Sequence, residues 1–120
     1  MFRVSVSTSF NATHAVTIQG VEEIPHNHEW NVVVALEGES LDDDGLLIDF
    51  IEIEQLLEHT IKPFRDSNLN TTTTLGGDNP SAERVAVYIG DSMHEQINEP
   101  IRIQSVTVTE APNCQATYVL

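Results

Sequence analysis

The apolar period of this chain changes twice, and that change limits it to a narrow set of folds. Phe2, Val4, Val6 and Phe10 share one phase against Arg3, Ser5, Ser7 and Ser9, as in a half-buried strand that leads to His14. After a loop through Gly20 and Pro25, a second strand begins near His28 and runs through Trp30-Asn31-Val32-Val33-Val34-Ala35-Leu36 to Gly38. Asp42-Asp43-Asp44-Gly45 is an acidic, solvated turn. Over residues 51–64 the period lengthens: Ile53, Leu56, Leu57, Ile61 and Phe64 recur at helical spacing, with Asp49 placed to cap the helix and Pro63 to end it. Residues 66–79 are rich in Thr, Asn, Asp and Gly and read as one long loop of the kind that often carries function. Asn79-Pro80 then starts a second helix, proline being tolerated at the first helical position, with Ala82, Val85, Ala86, Ile89, Met93 and Ile97 as its buried stripe and Pro100 as its stop. Residues 101–110 and 115–120 return to period two as a closing antiparallel hairpin, and a phase change between Ile103 and Val106 predicts a bulge. The order is strand, strand, helix, helix, strand, strand, an α+β pattern with no linker or repeat to divide residues 1–120 into more than one domain.

Length and charge narrow the function. A chain of 120 residues has room for one modest core. Five Lys plus Arg stand against 19 Asp plus Glu, a formal net charge of -14, and Lys62 is the only lysine. Nothing here resembles the basic patch that phosphate neutralisation requires, so nucleic acid and anionic membranes are excluded as partners. The acids are scattered, which suits a hydrated surface and a halophilic, high-salt cytoplasm. Met1-Phe2-Arg3 leads directly into the first alternating run, with no long apolar stretch, and the expected location is cytoplasmic. Cys114 is the only cysteine, so no intrachain disulfide is possible and any metal site must be built from histidine and carboxylate.

Three histidines fit that description. If the second strand extends back through His26 and His28, period-two alternation puts both imidazoles on one face, roughly 6 to 7 Å apart, where His14 could complete a metal site. Neutral imidazoles suit zinc, and three protein ligands leave a fourth position open for water or substrate, which points to catalysis.

Phe10-Asn11-Ala12-Thr13-His14, His26-Asn27-His28, Gly45-Leu46-Leu47-Ile48-Asp49-Phe50, Leu69-Asn70, Asn79-Pro80-Ser81-Ala82-Glu83 and Val106-Thr107-Val108-Thr109-Glu110 occur in this order. Together they resemble the 6-pyruvoyl-tetrahydropterin synthase and 6-carboxy-tetrahydropterin synthase family across nearly the whole chain. The resemblance implies the tunnelling fold: a four-stranded antiparallel sheet with two helices on one face, assembled as an oligomeric barrel in a homotrimer or homohexamer. It implies zinc on His14, His26 and His28, and a small dihydropterin held by Glu110, with Thr109 beside it. Because the metal residues and Glu110 fall near opposite ends of the chain, the pockets are expected between subunits.

Departures from the family pattern set the expected reaction. Glu22 occupies the position of the usual catalytic cysteine, and Glu23 lies three residues before His26, as in the branch that makes 6-hydroxymethyl-dihydropterin. The aspartate-histidine pair usual before Leu69-Asn70 is replaced by Arg65 and Asp66, while His59 and His94 sit on helices as exposed polar residues. The resemblance therefore implies a zinc-dependent lyase acting on the side chain of 7,8-dihydroneopterin or its triphosphate, with Glu23, or Glu22 in its place, as base and 6-hydroxymethyl-7,8-dihydropterin as product. Alternatives are a 6-carboxy-tetrahydropterin synthase of deazaguanine (queuosine or archaeosine) biosynthesis, and a non-catalytic pterin-binding homologue. A triphosphate is poorly attracted, since only Arg3, Lys62, Arg65, Arg84 and Arg102 are basic.

Overall fold

The computed structural model describes residues 1–120. In chain order the elements are β1 (Phe2–His14), β2 (Thr17–Ile18), β3 (Val21–Glu22), β4 (His26–Gly38), α1 (Phe50–Ile61), β5 (Ser67–Asn68), α2 (Ala82–His94), β6 (Arg102–Ala111) and β7 (Cys114–Val119). The main sheet has the order β5-β1-β4-β6-β7, with β2 and β3 forming a separate small hairpin. Its four long strands are antiparallel, as expected, and both helices pack against one face. The fifth strand was not expected: Ser67 and Asn68, from the stretch read as a loop, pair in parallel with Ala12 and Thr13. Leu69 and Leu75 of the same stretch are buried and anchor it.

Alternation explains the layers. Val6, Phe10 and Ala12 of β1, and Trp30, Val32, Val34 and Leu36 of β4, turn inward with Ile103, Val106 and Val108 of β6. They meet Ile53, Leu57 and Ile61 of α1 and Val85, Ala86, Ile89 and Met93 of α2 in one core. The Phe10 ring stacks between Trp30 and Phe64, with centroids 6.0 and 5.7 Å away. On the opposite face Ser5, Ser7, Asn11, Glu29, Asn31 and Val33 are exposed, with no layer of this chain over them. At the end of the sheet remote from the histidines, Arg3 and Arg102 both bond the buried carboxylate of Glu37, which supplies the pairing a buried charge needs.

Several boundaries differ from the sequence reading for local reasons. Asp49 does cap α1, accepting from the Ile51 amide at 2.9 Å, but the helix ends at Ile61 and Pro63 lies in a following 3-10 turn. Helix α2 starts after Ser81, whose hydroxyl accepts from the Arg84 amide at 3.2 Å. Pro80 therefore precedes the cap instead of opening the helix, because a serine hydroxyl satisfies an orphan amide that proline cannot. Strand β4 extends back to His26, so both histidines of the pair belong to it. The hairpin β2–β3 was read as loop. It turns through Gln19 (φ 51°) and Gly20 (φ 79°), the paired positive dihedrals that a two-residue hairpin turn requires.

Two bulges shape β6. Ala35 pairs with Ser105 and Leu36 with Ile103, leaving Gln104 as the extra residue where the phase change predicted one. Further along, Thr109 pairs with Gln115 and Ala111 with Cys114, so Glu110 has no partner on β7.

Candidate functional site

Register alone brings the three histidines together. His14 stands directly opposite His26 in the β1–β4 ladder, and Ala12 stands opposite His28, so the second imidazole of the pair is His14's diagonal neighbour. All three share the inward phase of Trp30. Its indole donates to the Ala12 carbonyl at 3.1 Å and lies edge-to-face with His14, centroids 4.7 Å apart, as the apolar floor of the cluster. His14 is fully buried, while His26 and His28 are half-buried.

Hydrogen bonds fix which ring nitrogen faces inward. His14 Nδ1 is 2.7 Å from the Pro80 carbonyl oxygen and His26 Nδ1 is 2.9 Å from that of Ile24. A carbonyl only accepts, so both Nδ1 atoms carry hydrogen, and each neutral ring presents the Nε2 lone pair to the cluster. This is the arrangement that orients metal-ligating histidines. Burial, and then the neighbouring His26, hold the His28 imidazole below the usual histidine value, outweighing the pull of Glu110 toward the charged form.

Glu110 is the fourth member. Its Oε1 lies 2.6 Å from His14 Nε2, 3.5 Å from His28 Nε2 and 3.7 Å from His26 Nε2. His14 Nε2 is nonetheless a buried atom without a hydrogen-bond partner, although it faces a carboxylate oxygen at 2.6 Å. A cation at the centre resolves that conflict. The four donor atoms lie within 4.8 Å of one another, and a tetrahedral ion with bonds of about 2.0–2.2 Å needs ligand-to-ligand edges of about 3.3–3.6 Å. The residues thus fit a metal ion after the His14–Glu110 edge opens slightly. β6 carries Glu110 to the histidines of its own chain, so the wide separation of these residues in the sequence does not by itself require a pocket between subunits.

The segment after His14 is held by side chains. Asn70 accepts from the Ala15 amide at 2.7 Å and donates to its carbonyl at 2.8 Å; Asn79 does the same to Thr17, at 2.9 and 3.0 Å. Between them, Glu23 Oε1 accepts from the Val16 amide at 2.9 Å and lies 3.7 Å from His26 Nε2. Glu23 therefore touches the cluster, whereas Glu22 is exposed on β3 and makes no polar contact with it. Asn70 was quoted as a motif residue without a role, and Asn79-Pro80 only as the start of a helix. Their local cue, polar amides in a loop, does not reveal which backbone they grip.

The other candidates fall outside the cluster. His59 and His94 are exposed on their helices, Asp66 sits in a left-handed turn (φ 53°), and Cys114 is exposed at the start of β7. Arg65 pairs with Glu58 and Arg84 with Asp78, so neither reaches the histidines. A cavity of about 370 Å³ opens beside the cluster, bounded by Asn27, His28, Glu29, Asn31, Thr109 and Glu110. That is where the structure puts Thr109, next to the carboxylate with which it was paired.

Comparisons with known proteins agree with this geometry. Residues 3–119 match the sequence profile of the family described as 6-pyruvoyl tetrahydropterin synthase. The chain is 28% identical over 108 residues to the dihydroneopterin monophosphate aldolase of Pyrococcus furiosus, covering 90% of this chain and 89% of that one. Its fold is similar to that of Caenorhabditis elegans 6-pyruvoyl tetrahydropterin synthase, with a TM-score of 0.85 at 19% identity, covering 99% and 95% of the two chains. It is also similar to a Plasmodium vivax 6-pyruvoyltetrahydropterin synthase described as a catalytic-residue variant with glutamate replaced by alanine (TM-score 0.76, 20% identity, 98% and 96% covered).

Proposed function

The chain belongs to the 6-pyruvoyl tetrahydropterin synthase family, and from that premise we propose that it is a zinc-dependent lyase that shortens the side chain of 7,8-dihydroneopterin, free or phosphorylated, to give 6-hydroxymethyl-7,8-dihydropterin. The observation that carries this reading is the placement of Glu23 at 3.7 Å from a convergent set of three imidazoles and one carboxylate. A set of three nitrogen donors and one oxygen suits zinc. The names of two similar proteins support the chemistry: one is an aldolase acting on a dihydroneopterin phosphate, and the other counts a glutamate as catalytic.

His14, His26 and His28 would hold the ion, each through Nε2. When bound, zinc supplies Lewis acidity that eases negative charge on the side-chain hydroxyl oxygens. The carboxylate of Glu110 accepts paired hydrogen bonds from the pterin amino group and the adjacent ring N–H, which fixes the ring. Glu23 removes the proton of the hydroxyl on the second side-chain carbon. The bond between the first and second carbons then breaks, its electron pair passes to the first carbon and into the ring imine, and glycolaldehyde (or its phosphate) leaves. Returning the proton to the first carbon completes 6-hydroxymethyl-7,8-dihydropterin. The Val16 amide donates to Glu23 Oε1, the oxygen that lies 3.7 Å from His26, and so holds this carboxylate beside the cluster.

Assembly as a trimer or hexamer is part of the proposal. The uncovered polar sheet face and the 53 Å long axis, against 26 and 24 Å in the other directions, support closure with further copies into a barrel. No basic side chain of this chain lies beside the cluster, which favours a substrate with few phosphates. The test is to incubate zinc-loaded protein with free, monophosphorylated and triphosphorylated dihydroneopterin and to identify the products by mass. Binding without conversion of any of them would make the chain a pterin-binding homologue instead.

A further inference from the structure

The largest cavity of the molecule lies away from the histidines, in the groove between the two helices. It holds about 670 Å³, against about 370 Å³ beside the cluster, and falls within the range of about 300–1,000 Å³ usual for small-molecule clefts. We propose that this groove is a second ligand site, one that takes a small zwitterion of dipeptide size, with its carboxylate at Lys62 and its ammonium group at Glu95.

Unpaired charge carries the first step. Lys62 on the α1 side and Glu95 on the α2 side line the same cavity, yet they form no ion pair with each other or with any other group. Each of the four arginines, by contrast, holds an acid. In a chain with 19 Asp plus Glu, the one Lys or Arg left unpaired therefore faces a carboxylate across open space. A molecule with a negative and a positive end satisfies both walls through charge-assisted hydrogen bonds, and His59 supplies a further N–H on the Lys62 side. The net charge of -14 repels plain anions and spares a zwitterion.

The helix ends carry the second step. Helix α1 is capped at its C-terminus by Lys62 and α2 by Glu95. A cation there complements the partial negative charge of the last carbonyls, whereas a carboxylate adds to it. Glu95 is thus set against the field of its own helix, and a ligand ammonium group relieves that repulsion.

The floor carries the third. The half-buried Tyr88 ring is fixed edge-to-face by Phe64, centroids 5.2 Å apart, and Leu56 and Pro63 line the cavity with it. An apolar body between the charged ends rests on this rigid surface. A neighbouring cavity of about 280 Å³ shares Tyr88 and Glu95, so the groove runs on along α2 and leaves room for a side chain.

Calorimetric titration of the full chain with glycyl-leucine tests this, alongside N-acetyl-glycyl-leucine, which lacks the ammonium group, and glycyl-leucinamide, which lacks the carboxylate. The parent should bind glycyl-leucine at least about tenfold more tightly than either capped form. Lys62→Gln should weaken glycyl-leucine to the level of glycyl-leucinamide, and Glu95→Gln should weaken it to the level of the acetylated form. Both side chains are exposed, so the fold should survive either change and zinc content should stay parental. Absence of glycyl-leucine binding at millimolar concentration, equal affinity for all three probes, or equal affinity in parent and both variants would each overturn the inference. All three outcomes leave the histidine site and its chemistry untouched.

Discussion

The Nδ1–H of His14 donates to the carbonyl oxygen of Pro80 at 2.7 Å, across 66 residues of chain. The deepest imidazole of the site is therefore oriented by the segment that leads into α2, and Asn79 clamps that segment to Thr17, three residues beyond His14.

Asn79→Ala should loosen the histidine through this clamp. Two hydrogen bonds are lost, at about 0.5–1.5 kcal/mol each, so urea denaturation should show a loss of about 1–3 kcal/mol. Zinc affinity should fall with it. Asn79→Asp, which keeps the acceptor and loses the donor, should fall between. Unchanged stability and unchanged zinc affinity in the alanine variant would mean that the clamp positions nothing.

His28→Ala removes one of three Nε2 donors while sparing the buried His14 and the Trp30 floor. Zinc measured after dialysis should drop from near one per chain to a small fraction, with the circular dichroism of the fold retained. Full zinc retention in the single alanine variants of His14, His26 and His28 would refute the assignment.

Glu23→Gln should lower the turnover of dihydroneopterin by roughly 10² to 10⁴ with zinc still bound, because the amide keeps the shape and loses the basicity. Glu22→Gln should stay close to the parental rate, since that side chain is exposed and off the cluster. The reverse order of effects would move the base to Glu22.

Much of this was legible in the sequence because it depends on period. Alternation in β1 and β4 was enough to put His26 and His28 on one face, and the helical stripes of α1 and α2 were read almost residue for residue. What the sequence hid depends on register and reach. The histidines gained Glu110 only because β6 pairs with β4 in the same chain, a neighbour relation that no local pattern encodes. The clamps of Asn70 and Asn79 join residues far apart in the chain, and β2 and β3 are too short, at two residues each, to show alternation.

Acidification should weaken the metal-free protein through His28. Its folded-state value lies below the ordinary histidine value of about 6.5, so between the two the unfolded chain binds more protons and stability falls as pH falls. Above that range the group contributes nothing to the pH dependence. In urea titrations of metal-free protein from about pH 7.5 to about pH 5, the parent should lose more stability than His28→Gln. Parallel curves for the two would show that His28 does not titrate differently on folding.

The most direct measurement is a zinc titration of chelator-stripped protein, with 6-hydroxymethyl-7,8-dihydropterin formed from dihydroneopterin quantified by mass at each step. The account predicts no product without zinc, a linear rise, and saturation at one zinc per chain. Product formation at full rate in the stripped protein, or none at any zinc level with each of the three phosphorylation states, would contradict it.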